Sequence, residues 1–326
     1  MNINHENRIQ DYQNPFNHMC KQSVADSILR VAVESNEDIA GGCLALMEVE
    51  TGAVVTLANI HRLDNGLIGE YYNYFLDHSY EPGEVAQTMT LAAALSDGTV
   101  KSLGEKIPTN HGKLTDSTIV RDDYILQYER KTGRDSITVI DGFAGSYRYV
   151  GSSLAMRDLN TLASMRNGYG FTVCPMQILA FYNTIANDGR MVKPKMKSDR
   201  YGSQTTFPRE MNAGVLRKDV ADSVKKALVH CVENGTSRLL KDMPQQVIGK
   251  TGTAYQVIDP RLLQVSIDPY SDAEGRRQYA SSFVGFYPAD APKYSVICVL
   301  FTKPTHQPLY GGQLPTQTVK KFIEGI

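Results

Sequence analysis

No CxxC pair, no excess of basic residues and no apolar run near the ~18 residues of a membrane span occur in this chain. Each absence removes a class of function. The five cysteines, Cys20, Cys43, Cys174, Cys231 and Cys298, are scattered and odd in number. That pattern indicates neither a zinc site nor a disulfide framework, and buried single thiols are the expectation for most of them. Lys plus Arg total 34 against 35 for Asp plus Glu, a net charge of -1, so no electrostatic footprint for nucleic acid is present. No metal or cofactor is called for by any ligand spacing. Residues 1–21 are polar and lack the apolar stretch of a secretory signal, so they are expected to be a lead-in and a candidate for disorder.

What is present is material for a large core. Apolar residues make up 42% of the 326 and charged residues 21%, which excludes global disorder. From Gln22 to about Val33 apolar residues recur at helical spacing. CLALMEVE and AVVTLANI then flank Thr51-Gly52 and predict a hairpin. After the Pro82-Gly83 turn, GEVAQTMTLAAALSDG predicts a helix with Glu84 in its first turn and Gly98 at its stop. CPMQILAFYNTIANDG, with Pro175 near its start and Gly189 past its end, predicts another, and LRKDVADSVKKALVHCVENG a third. The last third changes period. QVIGKTGTA, ASSFVGFYP and YSVICVLFT read as strands, and a helix closes the chain. One domain over 22–326 follows, of α+β class. A sheet lobe comes from about 22–60 and 245–326, and a helical lobe from about 80–240.

The chemistry-bearing piece is Lys250-Thr251-Gly252-Thr253 inside a strand. Glycine in a strand interior costs stability and often marks the close approach of another backbone or a ligand. Lysine with flanking hydroxyls offers a cation and donors to a carboxylate. An edge strand can pair with an extended peptide. An inherited structural strand without a ligand is the competing reading.

The wider chain resembles the transpeptidase domain of class B penicillin-binding proteins. The resemblance is carried by LMEVETGAVVTLAN, YEPGEVAQTMTLAAALSDG, NGYGFTVCPMQILAFYNTIANDGRMVKP, VENGTSRLL, GKTGTA and SSFVGFYPADAPKYSVICVLF, in the family's order from about Ser23 to Ile326. It implies a serine β-lactamase/DD-transpeptidase fold: a central antiparallel sheet, helices on both faces, and here a reduced helical lobe. It also implies three motifs, SxxK, SxN and KTG. The serine attacks, and the lysine one turn later takes its proton. The SxN pair relays protons, and the KTG strand holds the substrate and lends an amide to the oxyanion hole.

Against that pattern the chain departs in several places. Glu84 stands where the nucleophilic serine is expected and Gln87 where its lysine is expected. Aligning Met156 with the family's SSNVGM puts Gly151 and Ser153 at the SxN positions, and a shift by one gives Ser152 and Leu154. No SxN triplet occurs anywhere. The stretch from Met156 to the GYG at 168–170 is also short. The one SxxK, Ser223 to Lys226, is out of order and reads as a solvated helix face.

The resemblance therefore implies a transpeptidase homologue expected to have lost acyl transfer, acting as a binding or scaffold protein linked to peptidoglycan synthesis. Its partners would be the peptidoglycan stem peptide or cell-wall synthesis proteins. Lys250, Thr251, Gly252 and Thr253 would keep a binding role, and Glu84 would pair with Lys250. One alternative is an active DD-transpeptidase or carboxypeptidase with an atypical nucleophile. Another is a non-enzymatic intracellular interaction module or remnant. Lacking the family's anchor, the chain is expected to be cytoplasmic or a truncated product. Ser152, Ser153 and Asp158 are read as helix-terminus caps. Asp116, Asp122, Asp123 and Asp135 are read as a solvated loop rather than a cation site, and His61, His78 and His111 as surface histidines.

Overall fold

The computed structural model describes residues 15–113, 122–154, 165, 167–196, 210–212, 214–258 and 268–326. The main sheet has seven strands: β1 (Ile39–Glu48), β2 (Ala53–Arg62), β3 (Ile68–Gly69), β4 (Lys195–Met196), β5 (Ile248–Gln256), β6 (Gln278–Tyr287) and β7 (Tyr294–Thr302). Their order is β3-β2-β1-β7-β6-β5, with β4 beside β2. Every pairing along that path is antiparallel; only the short β4 runs parallel to its neighbour. The expected hairpin is β1–β2, turning at 49–52, and the three late strands are β5, β6 and β7. Both ends of the chain thus meet where Leu44 faces Cys298. Such long-range pairing cannot be inferred from local pattern.

Helices cover both faces. Ser295 of β7 donates to Asn183 at 2.6 Å on the helix α6 (Pro175–Ala186). Cys298, three positions on, is hydrogen-bonded to Thr318 of the closing helix α8 (Leu314–Glu324). Residues three apart on a strand point to opposite sides. With no face left to solvent, β7 loses the alternation of a half-exposed strand, and Val296 to Leu300 are all fully buried. The helix α1 (Pro15–Glu34) packs beside α8 and against β2. It begins at Pro15, upstream of the boundary expected at 22, so part of the polar lead-in is helical. Residues 1–14 lie outside the described residues.

The helical lobe supplies α2 (Gln87–Ser96), α3 (Asp123–Thr132), α4 (Val139–Ala144), α5 (Arg148–Ser153) and α7 (Lys218–Glu233). The α-helix expected from Gly83 begins only at Gln87, because Gly83–Ala86 is a 3-10 turn. Gly83 has φ +62°, and a Cβ there would lie 2.8 Å from that of Ala254. Glycine therefore lets the turn rest directly on β5. Among the described residues no helix is long and apolar enough to cross a membrane.

Candidate functional site

β5 is an edge strand, so alternate backbone groups point away from β6 toward the 83–86 turn. A Cβ on Gly252 would meet Val85 and Ser282 side chains at 3.0 Å and the Pro82 carbonyl at 3.1 Å, which measures how closely the turn lies on the strand. Glu84 projects from that turn. One carboxylate oxygen accepts the Thr253 N–H at 2.8 Å, and the other accepts Arg148 Nε at 3.4 Å. Glu84 is buried, and Arg148 is the half-buried first residue of α5.

Arg148 also donates to the Tyr169 hydroxyl at 3.1 Å, and its guanidinium lies against the rings of Tyr169 and Tyr255, at 5.4 and 5.7 Å from their centroids. Burial works against this cation, but Tyr169, Glu84 and Tyr255 together outweigh it and raise its pKa above the ordinary arginine value. Burial, helped by Glu84, pushes the Tyr169 phenol up, so it stays neutral.

Lys250 is fully buried. Its ammonium donates to Ser146 Oγ and, at 3.4 Å, to the Thr251 carbonyl, and it lies 5.4 Å from the Phe143 ring centroid. Burial holds its pKa below the ordinary lysine value, opposed by Cys231 and Glu84. The expected Glu84–Lys250 pair is not formed. Among the described residues Lys250 makes no ion pair, and Glu84 pairs with Arg148. The physical reason is local: a backbone amide and a guanidinium already meet both oxygens of the carboxylate. Ser146 continues a row of hydroxyls, with Thr236 Oγ1 at 3.5 Å from Ser146 Oγ and 2.6 Å from Thr251 Oγ1. Thr253 Oγ1 accepts the Gly311 N–H at 2.9 Å.

Gln87, at the start of α2, is buried in an amide network. It donates to Asn167 Oδ1 at 2.9 Å, and Asn167 donates to Ser152 Oγ at 2.8 Å and to the Arg148 carbonyl at 3.1 Å. Gly151 leaves the room for this network, since a Cβ there would fall 2.3 Å from Asn167 Oδ1. Ser153 bonds back to the Tyr149 carbonyl within its own helix. The structure therefore does not bring Gly151 and Ser153 to the lysine strand. It brings Ser146 and Arg148 there instead. Those two, with Asn167 and Tyr169, were missed in the sequence. A signal existed: Ser146-Tyr147-Arg148 keeps the serine and the spacing of an SxN triplet, with arginine for asparagine.

Other expectations change too. Ser152 accepts from Asn167 rather than capping a helix, and Asp158 and Asp116 lie outside the described residues. Asp122 is buried; it caps α3 and accepts the Tyr149 N–H at 2.9 Å, tying α3 to α5. It is therefore not part of a solvated loop. His61 and His78 are half-buried in an aromatic cluster, His61 Nδ1 lying 2.7 Å from the Tyr74 hydroxyl and His78 packing edge-on against Phe301. Only His111 among the three is exposed, beside Glu129. Ser223 spends its hydroxyl on the Asp219 carbonyl and Lys226 is exposed. No group of three or more His, Cys, Asp or Glu side chains poised to hold a metal occurs among the described residues.

The family model of the penicillin binding protein transpeptidase domain matches residues 42–157 and 126–324. The probable peptidoglycan D,D-transpeptidase PenA of Neisseria gonorrhoeae is 23% identical over 339 aligned positions, covering 93% of this chain and 54% of that protein. The penicillin-binding protein PbpB of Mycolicibacterium smegmatis is 22% identical, covering 79% of this chain and 45% of that protein. The chain thus spans about half the length of the curated relatives it matches. Among solved structures, the transpeptidase domain of Burkholderia pseudomallei penicillin-binding protein 3 superposes with a TM-score of 0.71 at 22% identity, covering 94% of this chain and 92% of that one. Penicillin-binding protein 3 from Mycobacterium tuberculosis, complexed with aztreonam, gives 0.70 at 18% identity, covering 93% and 77%. These likenesses show the fold: an antiparallel sheet with helices on both faces, as expected.

Proposed function

The chain belongs to the penicillin-binding protein transpeptidase family, linked to peptidoglycan synthesis, and from that premise we propose that it has lost acyl transfer and serves as a binding or scaffold protein in that process. One observation carries the reading. Glu84, at the position of the attacking serine, spends both carboxylate oxygens, one on the Thr253 amide and one on Arg148. An outward amide of the lysine strand is the group an incoming carbonyl or extended peptide would use, and here the protein's own side chain fills it.

Three further features support the loss. Gln87 at the lysine position has an amide that takes no proton at neutral pH, and its Nε2 is bound to Asn167. Ser146-Tyr147-Arg148 is the remnant of the second motif: its serine sits on Lys250 and its arginine replaces the proton-relaying asparagine. The two charges introduced, Glu84 and Arg148, compensate each other, so the changes amount to a stable rearrangement of the site. Lys250, Thr251, Gly252 and Thr253 keep the strand geometry of the third motif and are the residues proposed to hold a peptide stem.

The test is incubation with a fluorescent penicillin followed by denaturing electrophoresis. No retained label is expected. A labelled band would overturn the reading. Calorimetry with a peptide ending in D-Ala-D-Ala then separates a retained binding strand from a site that holds nothing.

A further inference from the structure

The proposed function gives Ser146 and Lys250 no bond-making step. Ser146 sits in the loop between α4 and α5 with φ +58°, a left-handed conformation uncommon for a residue with a side chain. That conformation aims its hydroxyl at Lys250, whose amine is fully buried and has no carboxylate partner among the described residues. The other side of Ser146 is open: it is half-buried, and its neighbour Thr236 is exposed. A serine held against a buried lysine is the arrangement that elsewhere makes a hydroxyl nucleophilic without a histidine.

We propose that Ser146 and Lys250 form a separate acyl-accepting dyad, one that takes the acyl group of small, uncharged, activated esters. The inference does not rest on the loss of acyl transfer at Glu84. A small ester needs neither the Thr253 amide nor the strand edge that Glu84 occupies.

The step balances within the residues present. Ser146 Oγ attacks the ester carbonyl and its proton passes to the neutral Lys250 amine. The Oγ–carbon bond forms and the bond to the leaving alkoxide or phenoxide breaks. Water later cleaves the acyl-serine, releasing the acid. The Thr236 hydroxyl, 3.5 Å from Ser146 Oγ, lies beside it to donate to the developing oxyanion, and the Thr251 hydroxyl, 2.6 Å from that of Thr236, holds it in place. Burial favours the neutral amine that the step requires, and the ionisable groups facing it are the Cys231 thiol from α7 and Glu84 from the 83–86 turn.

The experiment incubates the full chain with p-nitrophenyl acetate and, separately, phenylmethylsulfonyl fluoride, and maps modified peptides by mass spectrometry. The expected result is modification at Ser146, abolished in Ser146→Ala and slowed on the order of 10²-fold or more in Lys250→Met. The wild-type rate is expected to rise with pH through a midpoint below that of an ordinary lysine. An unmodified Ser146, undiminished labelling of Ser146→Ala, or a wild-type rate in Lys250→Met overturns the proposal. Should Lys250→Met fail to fold, the Ser146→Ala comparison and the wild-type pH profile decide. If penicillin labelled the protein, mapping the site would separate the two claims: an adduct on Ser146 supports the dyad while ending the proposed loss of acyl transfer.

Discussion

Glu84 and Arg148 meet at the site, Oε1 to Nε at 3.4 Å, although they lie 64 positions apart and on separate elements. One is an anion and the other a cation, so together they add no net charge to the site. The second oxygen of Glu84 is held by the Thr253 amide. The pair therefore ties the turn before α2 and the start of α5 to the edge strand β5.

That coupling is measurable. Arg148→Met is expected to destabilise the fold by roughly 1–3 kcal/mol, because it strips a buried carboxylate of one partner. Adding Glu84→Gln should then cost little further. A urea-unfolding double-mutant cycle should give a coupling of roughly 0.5–3 kcal/mol. Strict additivity would show that the two side chains stand near each other without interacting.

Gly151→Ala tests the amide network behind them. The new methyl would fall 2.3 Å from Asn167 Oδ1 and 3.0 Å from Gln87 Nε2. Moving Asn167 would also disturb its bonds to Ser152 and the Arg148 carbonyl. A loss of roughly 1–3 kcal/mol is expected from such overpacking, read as a lower urea midpoint. An unchanged midpoint would mean that Asn167 swings away freely.

How much of this was legible beforehand follows from which contacts are local. The β1–β2 turn, the three late strands and the helix after Pro175 announce themselves through period and punctuation. The YEPG phrase drew attention to Glu84 and Gln87, and both side chains take part in the hydrogen-bond networks beside the lysine strand. The partner of Glu84 was not legible. Lys250 was the obvious cation in the strand, but its side chain packs toward Phe143 and Cys231 in the interior, while Arg148 reaches Glu84 from α5. Ser146 was hidden for a different reason: the residue two positions after it is arginine, not asparagine. The 3-10 turn at 83–86 was hidden because its shape depends on Gly83 closing onto Ala254, a contact with a strand far along the chain.

Restoring the two acylation residues alone should fail. Glu84→Ser with Gln87→Lys is expected to give no penicillin label, because Arg148 then stands in the site without its carboxylate and, on the proposed reading, in place of an asparagine. Efficient labelling of that double variant by fluorescent penicillin would show that Arg148 does not obstruct the chemistry.

Away from the site, Asp188 offers a pH probe. Lys225 Nζ lies 2.6 Å from its carboxylate and holds the Asp188 pKa below its ordinary 3.8. A depressed carboxyl pKa stabilises the folded state above the unfolded value, and that contribution disappears as pH falls through the folded one. Wild type and Asp188→Asn should therefore differ in melting temperature at neutral pH and converge well below pH 3.8. A difference that persists unchanged into acid would place the effect elsewhere.

The central claim is that a carboxylate occupies the place from which a hydroxyl would have to attack. A crystal soaked with a β-lactam tests it most directly. The account predicts Glu84 still bound to the Thr253 amide and Arg148, with no density joining protein to drug. Continuous density from any side chain into an opened lactam ring would contradict it.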